Sequence, residues 1–179
     1  APKFGIGAPA RRMEDQAFIT GRGNYVDDYR PEGALVAFVL RSPIASGAFT
    51  ITGGLDAARA LPGVRLVLTH DDIAHLGPLP SKGVGPQVDG SPTPVPPRTV
   101  LCKDTVRFVG DPVVFIVAET RAAAEDAAEL IEIDWEAAPA IADPSRALDE
   151  DAPVVWPEYG SNLAFTYGSG DAAATDTAF

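Results

Sequence analysis

The sequence predicts an α+β fold in which two strand–helix–strand units form a mixed sheet with helices packed on it. Three observations carry that expectation. Short apolar runs rich in β-formers recur in both halves of the chain, at 35–40 and 64–69 and again at 113–118 and 131–136. Helical segments at 55–61 and 120–130 separate the two strands of each pair. A stretch dense in Pro and Gly lies between the halves.

Residues 1–30 are polar and Gly-punctuated and read as an extended arm with turns at Gly21 and Gly23. A Gly-x-Gly pair marks a dinucleotide loop only between a strand and a helix, and neither is predicted there, so no cofactor is assigned to it. Ala34 to Leu40 reads as a mostly buried strand that Arg41-Ser42-Pro43 stops. Phe49-Thr50-Ile51-Thr52 alternates as a half-exposed strand does. Leu55 to Leu61 reads as a short helix ended by Pro62-Gly63, because Pro cannot continue the hydrogen-bond ladder. Val64 to Thr69 is the next strand, and Asp71 to Leu76 one further helical turn with acids where the dipole favours them.

Residues 77–97 hold seven Pro and four Gly, a density that no packed helix or sheet tolerates, and form a long loop of polyproline character. Gly110 and Pro112 mark a tight turn before Val113 to Ala118, the strongest buried strand. Thr120 is placed to N-cap an Ala-rich helix whose Ala124, Ala127 and Ala128 share a face with Ile131. Ile131 to Glu136 alternates in period two with Ile131, Ile133 and Trp135 inward. Beyond Ala137, isolated apolar anchors (Val154, Val155, Trp156, Leu163 and Phe165) stand among Pro, Gly and acids. That tail reads as a linker, and the chain as a piece of something longer. The expected organisation is an arm over 1–30, an α+β domain over 31–143 and a linker over 144–179.

Composition narrows the function classes. A chain of 179 residues buries about 70% of the surface its unfolded form exposes, enough for an ordinary core. The formal net charge of −11 argues against a phosphate-backbone binder, which needs clustered Lys and Arg. Residues 1–118 are close to neutral, whereas 119–158 carry 12 acids against Arg121 and Arg146 alone. No apolar run approaches the roughly 18–20 residues of a membrane span, and the first residues show no signal-peptide core. One cysteine forms no internal disulfide, and the only histidines, His70 and His75, sit five apart on different helix faces. Zinc sites want three or four close ligands, so no metal site is expected.

Several motifs in order resemble one family. Arg12-x-Glu14-Asp15-x-x-Phe18 is followed by Thr20-Gly21-x-Gly23-x-Tyr25-x-Asp27-Asp28. Leu40-Arg41-Ser42-Pro43, Ala60-Leu61-Pro62-Gly63-Val64 and Val106-Arg107-x-Val109-Gly110-Asp111-Pro112 come next. Ala127-Ala128-Glu129-x-Ile131-Glu132-Ile133-Asp134-Trp135-Glu136, Pro139-Ala140 and Gly170-Asp171 complete the set. Together they resemble the start of the molybdopterin-binding large subunit of the aldehyde oxidase/xanthine dehydrogenase family, most of all the aerobic carbon-monoxide-dehydrogenase type. The resemblance implies an α/β-hammerhead fold. One departure is Ile44-Ala45-Ser46-Gly47-Ala48-Phe49, where the family usually carries an Ala-His-Ala-Arg run.

With no signal peptide or membrane segment in the sequence, a cytoplasmic location is expected. The resemblance further implies a parent enzyme that uses molybdopterin, with iron–sulfur clusters and FAD in partner subunits. Its catalytic and cofactor-binding motifs lie in later domains, so no catalytic, cofactor-binding or metal residue is assigned to this chain. Cys102 is read as a small core or edge residue. The expected role is to brace cofactor domains and present surfaces to the iron–sulfur and flavin subunits. Interface candidates are Arg12, Glu14, Asp15, Tyr25, Asp27 and Asp28, with the acidic 119–158 stretch beside them. The alternative is an independent interaction module that recruits a partner through the Pro-rich loop 77–97 or the acidic face 119–158.

Overall fold

Six strands build the fold: β1 (Val36–Arg41), β2 (Gly47–Gly53), β3 (Val64–Leu68), β4 (Thr105–Val106), β5 (Pro112–Ala118) and β6 (Glu132–Ala137). The helices are α1 (Asp15–Ile19), α2 (Leu55–Ala60), α3 (His70–Ile73), α4 (Arg121–Glu129) and α5 (Ala172–Ala178). The structure, a computed structural model, describes residues 5–6, 12–81 and 85–179. Parts of the N-terminal arm (1–4 and 7–11) and of the Pro-rich loop (82–84) lie outside the described residues. The chain divides into two units, Ala1–Ala34 and Leu35–Phe179, each described by itself.

In the first unit, one helical turn, α1, stands where the sequence reads as extended. Thr20 closes it by donating from Oγ1 to the Gln16 carbonyl at 2.6 Å. Phe18 and Tyr25 stack with ring centroids 5.2 Å apart, and a 3-10 turn follows at Val26–Asp28.

In the second unit the α+β class and the predicted strands stand, but they do not share one mixed sheet. They form two antiparallel sheets, β1-β5-β3 and β4-β2-β6. Each half of the chain contributes to both. The second strand–helix–strand unit runs from β5 in the first sheet through α4 to β6 in the second. A period of two says which face a residue takes, but it does not name the neighbouring strand. At one crossover Gly54 has φ +81°, and a Cβ there would collide with the Leu130 carbonyl, so only glycine fits between β2 and α2.

Helices α2 and α4 pack on the first sheet. Thr120 caps α4 as predicted, its Oγ1 accepting from the Ala123 amide at 3.1 Å. Ala124, Ala127 and Ala128 are buried on the face the sequence assigns to the sheet. These alanines join Val114, Ile116 and Ala118 of β5 and Phe49 of β2 in one core, with Ile133 and Trp135 against it. Phe49 and Trp135 face each other across β2 and β6 with centroids 5.5 Å apart.

Candidate functional site

Two turns that are 69 residues apart in sequence meet at one end of β1 and β5. Arg41, the last residue of β1, donates from Nη1 to the Gly110 carbonyl at 2.8 Å. The Ser42 amide donates to the Asp111 carbonyl at 2.9 Å, and the Gly110 amide returns a bond to the Ser42 carbonyl at 2.8 Å. Gly110 adopts φ +92°, the conformation that lets the chain double back here. The Asp111 carboxylate accepts from the Arg107 amide at 2.9 Å, and the Cys102 amide donates to the Pro112 carbonyl at 2.8 Å. Ser42 and Asp111 are the only buried polar side chains of this kind among the described residues.

The chemistry of this junction is structural. Ser42 Oγ donates to the Ile44 carbonyl at 2.7 Å and accepts from the Ile44 amide at 3.1 Å, so its hydroxyl serves the turn. Burial, followed by the neighbouring Asp111 carboxylate, pushes the Cys102 thiol up to about 12. A buried thiol held protonated is a poor nucleophile at neutral pH. The Arg107 guanidinium carbon lies 3.5 Å from the centre of the Trp156 ring, and its buried Nε has no hydrogen-bond partner. The stack fastens the C-terminal segment to the turn.

The Pro-rich loop and the tail brace each other. The Tyr159 hydroxyl donates to the Val95 carbonyl at 3.0 Å, and Gln87 Oε1 accepts from the Thr166 amide at 2.8 Å. Asn162 holds the tail itself, donating from Nδ2 to the Ala147 and Pro153 carbonyls and accepting from the Val155 amide. Pro94 and Pro96 of the loop line an open pocket of about 400 Å³ with Trp156, Tyr159 and Leu163 of the tail. Its walls are apolar apart from groups that already serve backbone bonds.

The six interface candidates all fall in the first unit. Arg12 pairs with Asp15 at 3.8 Å, and Glu14 precedes α1 as its N-cap residue. Tyr25 stacks on Phe18, the Asp28 carboxylate accepts from the Tyr25 amide at 3.0 Å, and Asp27 is exposed. The acids of 119–158 spread over α4, β6 and the turns that follow. Three of them meet arginines: Glu119 with Arg65, Glu125 with Arg121 and Asp149 with Arg146.

His70 and His75 do not form a site. His70 Nδ1 lies 3.0 Å from the Leu101 carbonyl, while His75 is exposed on the following 3-10 turn. No group of three or more His, Cys, Asp or Glu among the described residues is arranged to hold a metal ion. Ser42, Arg107 and Asp111 were not assigned roles from sequence. The signal was available in the two turns, each ending at a Pro that closes or opens a strand.

Fold and junction together define a small two-sheet α+β domain whose buried polar groups serve its own turns. Residues 20–139 match the family described as "Aldehyde oxidase and xanthine dehydrogenase, a/b hammerhead domain". The chain belongs to that family. It is 36% identical to the carbon monoxide dehydrogenase large chain of Hydrogenophaga pseudoflava, over 98% of this chain and 22% of that protein. It is 39% identical to the nicotine 6-hydroxylase large subunit of Paenarthrobacter nicotinovorans, over 80% of this chain and 17% of that one. Among solved structures, reconstituted CO dehydrogenase from Oligotropha carboxidovorans superimposes with a TM-score of 0.66 at 33% identity, covering 98% of this chain and 22% of its own. The chain thus spans about one fifth of the length of the curated relatives it matches.

Proposed function

We propose that this chain is the hammerhead segment of the large, molybdopterin-binding subunit of a cytoplasmic molybdenum hydroxylase of the carbon monoxide dehydrogenase/xanthine dehydrogenase type, and that its role is structural. The observation that carries this reading is the match to large subunits over nearly the whole chain, joined to a junction whose side chains are spent on the fold. The divisions that go with it are an arm over 1–30, the hammerhead domain over 31–143 and a linker over 144–179 toward the cofactor-binding domains. Molybdopterin belongs to those later domains, and the iron–sulfur clusters and FAD to partner subunits. The arm residues Arg12, Glu14, Asp15, Tyr25, Asp27 and Asp28 are the proposed contacts to those subunits.

Two measurements test this. Reading the gene downstream of Phe179 is expected to show a frame continuing for several hundred residues with Gly-rich cofactor motifs. A stop codon there favours the independent interaction module. In the intact subunit, combined Arg12→Ala, Asp15→Ala and Tyr25→Ala changes are expected to reduce co-purification of the iron–sulfur and flavin subunits. Undiminished recovery removes the arm from the interface.

A further inference from the structure

The first sheet has a second apolar face. By register, Ala37 of β1, Val117 of β5 and Leu66 of β3 stand in one row, and Val39, Phe115 and Leu68 in the next. Their neighbours Phe38, Ile116 and Val67 point the other way and belong to the core or pack against it. None of the six does. Leu66 is 42% exposed, Ala37 is exposed, and the rest are half-buried.

An antiparallel sheet with one face in water alternates apolar with polar residues. The second sheet of this molecule does so: its outer face carries Thr50, Thr52, Glu132, Asp134 and Glu136. The first sheet instead reads as strands buried on both faces, Val-Ala-Phe-Val-Leu in β1 and Val-Val-Phe-Ile-Val-Ala in β5. The two rows carry no charged side chain; charge is confined to the margins, where Arg41 follows Ala37 and Val39 along β1 and Arg65 pairs with Glu119 at the other end. An apolar centre inside a polar margin has the anatomy of an interface.

We infer that the outer face of the β1-β5-β3 sheet is covered by the same large subunit, by polypeptide beyond the 179 residues described by this sequence. This rests on the reading above that the chain is a segment of such a subunit. The relatives supply the occupant, since about four fifths of a carbon monoxide dehydrogenase large chain lies outside the region this chain matches. A cover carried on the same polypeptide is present whenever this segment is, which suits a face whose two central rows are wholly apolar.

Cross-linking in the intact subunit tests the assignment. The subunit is produced with the diazirine analogue of leucine, which keeps the side chain's size, and irradiated both alone and with its partner subunits. Peptides containing positions 66 and 68 are expected to be joined to the same chain beyond residue 179, in the isolated subunit and independently of dilution. Links only to residues 1–34, to a partner subunit, or to a second copy (resolved by mixing isotopically light and heavy subunit) overturn the inference. So does recovery of both positions quenched by water. Ala37→Cys gives a second readout without a bulky change. Its thiol is expected to react with a maleimide at least about tenfold more slowly in the native subunit than in the urea-unfolded one, and equal rates contradict the proposal. Failure of the parent reading is seen separately, in a reading frame that does not continue past Phe179.

Discussion

Asp111 ties its own turn together while its backbone receives Ser42 from the other turn. Asp111→Ala removes the acceptor of the Arg107 amide, and a loss of about 1–3 kcal/mol in urea unfolding is expected, with Asp111→Asn less damaging because its carbonyl still accepts. Cys102 predicts a pH effect. The folded thiol, pushed up to about 12, keeps its proton where an unfolded cysteine of pKa about 8.5 loses it. The unfolded state then binds fewer protons, so stability is full below about pH 8.5 and falls as pH rises toward about 12. Cys102→Ala is expected to flatten that alkaline limb in a series of urea midpoints against pH. An unchanged slope places the titration elsewhere.

At the scale of elements, caps decide the short helices. Thr120→Ala is expected to cost about 1 kcal/mol, read as a lower urea midpoint, because the Ala123 amide loses its acceptor. Asp72 receives the Thr69 amide at 2.8 Å and hydroxyl at 3.0 Å before α3. The Thr69 amide first, and the hydroxyl and Arg59 after it, hold the Asp72 carboxyl below the ordinary range. Its contribution is present above the unfolded pKa and is lost as pH falls through the lowered folded one. Asp72→Asn should therefore weaken the acid dependence of amide exchange in α3, while leaving its neutral-pH value closer to the parent. The sequence made these elements readable wherever a local pattern was sufficient. Strand 113–118 is legible as an unbroken apolar run, 131–136 from its period of two, and the face of α4 from its alanines. Sheet partnership was not readable, because β5 pairs with strands from the other half of the chain and no local period records that. The junction was readable only as two separate turns. What joins them is a set of backbone bonds between Ser42, Gly110 and Asp111, and backbone groups are alike in every residue type. The pairing of loop and tail is likewise invisible to any local pattern, although Tyr159 and Thr166 connect them.

For the whole molecule, the two outer sheet faces carry opposite messages. The β2–β6 face is written for water or a polar neighbour, with Asp134 opposite Thr50 and Glu136 opposite Ala48. The β1-β5-β3 face is written for burial. Among the described residues no helix is long and apolar enough to cross a membrane. The net charge of −11 lies almost wholly on residues 119–158, which run through α4, β6 and the turns after them. A domain that spends its polar groups on its own turns and leaves one sheet face apolar is suited to hold other parts in place. The proposed function has this chain brace a molybdenum enzyme without carrying its chemistry. Metal analysis tests it most directly: molybdenum is measured by mass spectrometry in the purified 179-residue chain and in the intact large subunit. Stoichiometric molybdenum is expected in the intact subunit and none in the chain. Stoichiometric molybdenum in the chain, or none in the catalytically active intact subunit, contradicts it.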